Sequence, residues 1–196
     1  MRKSHLFLSI LAIALVAVVV SCQNSENISN ETESVSDLIL KSYSARTFTS
    51  EPVSTEDIEV ILKSGIKAPS ARNLQPWSFI VVREISAMQQ VLGNATEGNA
   101  LIVVCGPEMQ ANPMTDFDCG LATGNMTITA QSLGLGARIY INPIANINST
   151  MKETLPIPEG YRAVAVLRVG HIEAGIDAES LASPRNNYED VVTFWE

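Results

Sequence analysis

From Cys119 to Ala137 the chain carries no charged residue, nineteen positions in a row. A helix lying on a protein surface sets Lys and Glu against its apolar stripe; this stretch has neither. A membrane span would hold fewer polar groups than Thr123, Asn125, Thr127, Thr129 and Gln131 supply. The segment therefore reads as a helix buried inside the protein or between two subunits. Gly120 and Gly124, four apart, lie on one face of that helix and let another backbone come close.

The rest of the chain narrows the chemistry. At 196 residues its length suits one domain. His5 belongs to an N-terminal apolar run, so His171 is the one His left for a folded site, and it follows a predicted strand. There is no G-x-S-x-G, and Cys22, Cys105 and Cys119 form no C-x-x-C. A His-rich metal centre, a nucleophile elbow and a zinc ribbon are excluded, and no metal site is expected. Cys105 and Cys119 read as buried thiols rather than a pair. Any enzymatic chemistry is expected to come from a bound cofactor.

The N-terminus reads as an address. Arg2 and Lys3 precede fifteen apolar residues, 6–20, a run short for a spanning helix and shaped like a secretory signal. Val19-Val20-Ser21-Cys22 resembles a bacterial lipobox, with Cys22 as the lipidated residue. We therefore expect a signal peptide over 1–21, a lipidated Cys22 heading a flexible tether over 22–35, and a folded domain over 36–196. The tether is polar, acidic and too poor in large apolar residues to order itself. Such a protein would sit in the cell envelope as a periplasmic or outer-membrane lipoprotein, held by acyl chains. Without 1–21 the chain has 11 basic and 21 acidic residues, a net charge of −10. A surface this acidic excludes nucleic acid, which needs clustered Lys and Arg.

The folded part reads as mixed helix and strand. A short helix is predicted over 37–43. Ser54-Thr55-Glu56-Asp57 has the form of a capping box, and the helix behind it sets Ile58, Ile61, Leu62, Gly65 and Ile66 on one face, ending at Pro69. Residues 77–83, 100–106, 137–142 and 162–170 read as strands, with a helix over 84–92. Their continuous apolar runs predict a sheet covered on both faces.

Several stretches together resemble one family. Ser42-Tyr43-Ser44-Ala45-Arg46-Thr47-Phe48 is similar to the R-x-S-x-R-x-F segment that opens nitroreductase-type flavoproteins. The run from Ala68 to Phe79 (APSARNLQPWSF) resembles that family's A-P-S-x-x-N-x-Q-P-W-x-F. Asp118-Cys119-Gly120-Leu121-Ala122-Thr123 and Leu133-Gly134-Leu135-Gly136 are similar to its central helix; Leu155-Pro156 and Pro184-Arg185 fall where its late helix and tail lie. The resemblance spans roughly 36–196. It implies an α+β three-layer sandwich with a central, mostly antiparallel sheet flanked by helices. It also implies a homodimer with FMN at each subunit boundary.

Residue by residue, the resemblance sets Ser42, Tyr43, Ser44 and Arg46 at the cofactor. Arg46 lies at the flavin N1/C2=O end, where a fixed cation favours the charge that appears on reduction. Ser44 and Arg185 look like phosphate ligands, Arg donating two parallel hydrogen bonds. Pro69, Ser70, Ala71, Asn73 and Gln75 would line the ring from the other subunit, and Ile141 and Asn142 would present backbone N–H groups to its N5/O4 edge. Two departures stand out: Ser42 where the family commonly has an Arg, and Ser183 where some members have a Lys. The implied activity passes hydride from NAD(P)H or an exported redox partner to the flavin, and electrons on to a nitroaromatic or quinone-like acceptor, by a ping-pong mechanism. The alternative is a membrane-tethered binding protein that keeps the fold without turnover.

Overall fold

The computed structural model describes residues 34–173 and 185–195. Cys22, the predicted signal peptide, most of the predicted tether and Ser183 lie outside them. In chain order the elements are α1 (Val35–Lys41), α2 (Thr55–Ile66), a single 3-10 turn (Ala71–Asn73), β1 (Ser78–Val82), α3 (Ile85–Val91), β2 (Ala100–Pro107), α4 (Thr115–Ser132), β3 (Gly136–Tyr140), α5 (Ile144–Thr150), β4 (Tyr161–Gly170) and α6 (Tyr188–Val191). The four strands form one sheet in the order β1-β2-β4-β3, and each neighbouring pair is antiparallel. Helices α2 and α4 cover one face; α3 and α5 cover the other. This is the α+β three-layer arrangement expected.

Local chemistry explains the boundaries. Ser54 caps α2: its Oγ accepts the Asp57 N–H at 3.0 Å. The Asp57 carboxylate accepts that hydroxyl's own proton at 2.7 Å, where a full capping box would turn it back to a backbone N–H. Ile58, Ile61 and Gly65 are buried as the periodicity predicts, whereas Ile66, at the helix end, is exposed. A Cβ on Gly65 would stand 2.8 Å from Met126 Cγ and 3.2 Å from Phe79 Cζ, so α2 crosses α4 at a contact only glycine permits.

Strand β2 runs through the centre, buried from Ala100 to Gly106. Its residues alternate between two cores: Leu101, Val103 and Cys105 under α3 and α5, Ala100, Ile102 and Val104 under α2 and α4. On β4 the alternation slips once. Ala163 and Val166 share a face although three apart, because Val104 pairs with Ala165 and Cys105 with Ala163, leaving Val164 as a bulge.

Helix α4 holds the uncharged stretch. Thr115, Asp118, Cys119, Ala122, Thr123, Met126 and Ala130 form its buried face. The opposite face is open in the single chain, with Gly120 and Asn125 exposed and Phe117 61% exposed. A helix with no charge after Asp118 is thus covered by the described chain on one side only.

One cation lies in the core. Arg168 on β4 is 2% exposed. Its Nε donates to Asn99 Oδ1 at 2.8 Å, Nη1 to the Asn94 carbonyl at 3.1 Å and Nη2 to Thr96 Oγ1 at 2.8 Å. The Phe48 ring lies 4.1 Å from the guanidinium carbon. Burial pulls the Arg168 pKa below its ordinary value, with Tyr140 acting against that shift. Asn99 passes the tie onward, donating from Nδ2 to the Thr49 carbonyl at 2.9 Å. Replacement by Met (Arg168→Met) strands the buried Asn99 acceptor and removes two part-buried hydrogen bonds, and is expected to cost roughly 3 kcal/mol of unfolding free energy. Arg168→Lys should recover only part, since one ammonium does not reach all three; urea unfolding of both variants checks this.

Candidate functional site

A cleft among the described residues arises from a mismatch in strand length. Edge strand β3 has five residues, and β4 beside it has ten. Beyond the Tyr140–Val166 pair the chain leaves the sheet, so the first half of β4 lacks that neighbour. The Asn148 side chain takes over part of the pairing. It accepts the Ala163 N–H at 2.8 Å and donates to the Ala163 carbonyl at 3.0 Å. Between the end of β3, the bulge and the open side of α4 lies a cleft of about 290 Å³, lined by Asp116, Gly120, Thr123, Ile139, Ile141, Val164 and Ala165. Apart from Asp116 and Thr123 the lining is apolar. Arg162 holds the Asp116 carboxylate and lies 3.9 Å from Glu108, which also pairs with Lys152 at 3.0 Å.

Gly120 forms part of the cleft wall. A Cβ placed there meets nothing within 4 Å. A helical glycine costs roughly 1 kcal/mol against alanine, and no contact among the described residues requires it.

Among the predicted residues, Ile141 lines this cleft, and Asn142 follows it, exposed. Ser42, Tyr43, Ser44 and Arg46 stand at the other end of β3. There the Ala45 N–H donates to the Ala137 carbonyl at 3.1 Å, Thr49 donates to the His171 carbonyl at 2.8 Å, and the Tyr43 carbonyl accepts Gln131 Nε2 at 2.6 Å. Ala45 and Phe48 are buried, over Gly136 and Gly170, where a Cβ would collide with them. Ser44 and Arg46 are exposed. From Ala137 to Ile141 is four residues of extended chain, roughly 13 Å. Arg185 is exposed at the start of the C-terminal stretch, ahead of α6. His171 ends β4 as expected, its Nδ1 3.8 Å from Glu51.

The loop holding Pro69, Ser70, Ala71, Asn73 and Gln75 lies at the N-terminal end of α4. Its backbone is strained: Arg72, Asn73 and Gln75, none of them glycine, have φ of 53°, 55° and 49°. Asn73 and Gln75 are exposed. The loop bonds internally, Gln75 N–H to Ser70 Oγ at 2.9 Å, and outward through the Ala71 N–H to Asp118 Oδ1 at 3.0 Å. Asp118 was absent from the predicted set; with Asp116 it reads as a favourable helix-start charge, and only the fold shows its second use. Asp118 and Gln131 are thirteen residues apart on one helix, roughly 20 Å. The loop and the Ser42–Arg46 segment therefore stand at opposite ends of α4, and a single chain does not bring them together.

The site is thus a mostly apolar cleft between an edge strand and a helix. A family model described as "Nitroreductase family" matches residues 39–103. A candidate NADH dehydrogenase/NAD(P)H nitroreductase of Archaeoglobus fulgidus is 36% identical over 138 residues, 65% of this chain and 79% of that protein. The NADPH-flavin oxidoreductase of Vibrio harveyi is 27% identical over 154 residues, 68% of this chain and 63% of that one. Among solved structures, a nitroreductase with bound FMN from Desulfitobacterium hafniense superposes with a TM-score of 0.69 at 25% identity, over 83% of this chain and 98% of that one. The chain belongs to the nitroreductase family.

Neither described cysteine competes for a catalytic role. Cys105 and Cys119 are both free and buried, in the cores on opposite faces of the sheet. Burial pushes each thiol pKa up to about 12, and a thiol that stays protonated is a poor nucleophile. Iodoacetamide at about pH 8 should leave both unmodified in the folded protein and label both in urea, as read by peptide mapping. The folded pKa values lie above the unfolded ones, so the thiols favour folding below about pH 9 and that contribution is lost as pH rises towards 12. Urea unfolding at about pH 8 and pH 10 should show the decline.

Proposed function

We propose that the protein is an FMN-dependent oxidoreductase acting as a homodimer, tethered in the cell envelope through Cys22. The observation that carries the FMN reading is the layout along β3. An apolar cleft lies at one end, at Ile141, and an exposed hydroxyl and guanidinium, Ser44 and Arg46, lie at the other. Their separation of roughly 13 Å suits a flat ring, a sugar-alcohol chain and a phosphate laid in that order. The residues present fit the group: Gly120 leaves room beside the helix, and Asn73 and Gln75 are exposed amides able to meet the polar edge of a ring.

When bound, FMN supplies the redox chemistry, accepting hydride from NAD(P)H or another reduced donor and releasing electrons to an electron-poor acceptor such as a nitroaromatic or quinone. The chain's own residues bind and orient. In this layout Ser44, Arg46 and Arg185 would offer the phosphate one hydroxyl and two guanidinium groups. Ile139, Ile141 and Val164 exclude water from the cleft, which strengthens each polar contact at its rim. Donor and acceptor would take turns at the cleft beside Ile139 and Ile141. No side-chain acid is needed in the pocket, in keeping with the scarcity of His.

The homodimer reading draws on two features. The open side of α4 carries Phe117, Gly120 and Asn125, exposed in the single chain. The described chain also exposes Ile39, Leu40, Phe117, Tyr188, Phe194 and Trp195, apolar surface that calls for a cover.

The folded domain, purified and supplied with FMN, should be yellow and elute as a dimer. Gly120→Leu, which fills the cleft, should abolish uptake at unchanged far-UV circular dichroism. A colourless monomer would overturn the reading, and a colourless dimer would favour the binding protein without turnover. For the tether, the full chain expressed in a bacterium should partition with membranes, and Cys22→Ser should release it to the soluble fraction; an unshifted variant would remove the lipid anchor.

A further inference from the structure

Asp118 is the only buried acid among the described residues. One carboxylate oxygen, Oδ1, accepts the Ala71 N–H at 3.0 Å. The other, Oδ2, is buried without a hydrogen-bond partner. An acceptor left unsatisfied in a core costs stability, and an apolar residue of similar volume would avoid that cost. Such a group at this place calls for a reason other than stability.

We propose that Asp118 is a positioning residue for the cofactor site: its carboxylate holds loop 70–75 in the left-handed form that keeps Asn73 and Gln75 exposed for a ligand. The inference rests on the FMN reading and goes beyond it, since Asp118 itself need not touch the ligand.

The loop's other bonds do not fix its place. Gln75 N–H to Ser70 Oγ at 2.9 Å, Asn73 N–H to the Ser70 carbonyl at 3.0 Å and Leu74 N–H to the Ala71 carbonyl at 3.1 Å all run within the loop and move with it. The Ala71–Asp118 bond joins residues 47 apart and ties the loop to α4. Three non-glycine residues with positive φ persist only where the surroundings overdetermine them. The anchor itself is well fixed. Asp118 lies in the first turn of α4, where the helix dipole favours a negative charge. That turn is pressed on β2, since a Cβ on Gly106 would stand 2.4 Å from Thr115 Cγ2. A charged acceptor also makes the stronger kind of hydrogen bond to an amide.

The test separates positioning from mere structure. Asp118→Leu keeps the volume and removes the unsatisfied oxygen, so its melting temperature should equal or exceed that of the unaltered protein. The same variant should bind FMN at least tenfold more weakly, by flavin fluorescence quenching, and its residue 70–75 amides should lose hydrogen-exchange protection in the FMN-free protein. Asp118→Asn, whose side-chain oxygen still accepts the Ala71 N–H, should recover both. Were Asp118→Leu to fail to fold, Asp118→Ala takes its place, with the same expected loss and the same rescue by Asn. Binding within twofold of the unaltered protein in a folded Leu or Ala variant, or unchanged exchange of the loop amides, overturns the proposal. Should the unaltered protein take up no FMN, the FMN reading itself fails and the proposal with it; unchanged exchange alone sinks the proposal and leaves that reading standing.

Discussion

Helix α4 packs closely on the sheet, and most of the site is built around it. At its N-terminal end, Gly106 of β2 approaches so closely that a Cβ would lie 3.0 Å from Cys119 Sγ. One turn past its middle, Gly65 of α2 meets Met126 across another gap too small for a side chain. A helix held at two such contacts is a rigid bar, because close-packed interiors transmit displacement rather than absorb it. Asp118 and Gln131 project from its two ends, one to the strained loop and one to the Tyr43 carbonyl. The polar groups that would meet a ligand thus stand on loops, but those loops are referred to a common rigid axis.

The sheet supplies the complementary half by being irregular at one place. A β3 as long as β4 would have filled the groove with a paired backbone. Its early departure, the Val164 bulge and the Asn148 side chain together leave an open edge that costs little in unpaired backbone groups. At the opposite end of the same strand, Phe48 over Arg168 and Asn99 bonded to Thr49 hold the Ser42–Arg46 segment against β3. That buried cation, bonded to neutral acceptors, is a costly way to fix a loop, and it fixes the stretch whose exposed side chains are Ser44 and Arg46.

Much of this was legible in the chain, and the reasons differ by element. Strands β2 and β4 announce themselves because central strands are apolar without interruption, and α2 because its cap and its 3.6-residue period agree. The ends of β3 and the tie at Asp118 are not written locally: where an edge strand stops depends on its neighbour, and a carboxylate 47 residues away in sequence gives no pattern. The polar residues of the loop were read through family resemblance. Their left-handed backbone was not, since Arg72 and Gln75 carry no preference for positive φ. The uncharged stretch was read as buried within the protein or between two subunits, and its pattern does not say which; the single chain covers one face of it.

That half-covered helix bears most directly on assembly. Selection for folding alone would place Lys or Glu beside Gly120, Gly124 and Asn125, where charge costs nothing and glycine weakens the helix. The absence of charge over nineteen positions makes sense if the open face is also an inner face. The C-terminal stretch carries a matching excess: Trp195 is 98% exposed and Phe194 74%. Large aromatic groups left in water forfeit roughly 25 cal/mol for every Å² of apolar surface they fail to bury. In the proposed pair, the surface of one chain offers the cover that the other lacks. The same pairing would set the loop at one end of α4 beside the Ser42–Arg46 segment from the other end of its counterpart, so dimerisation and completion of the cofactor site become one event rather than two.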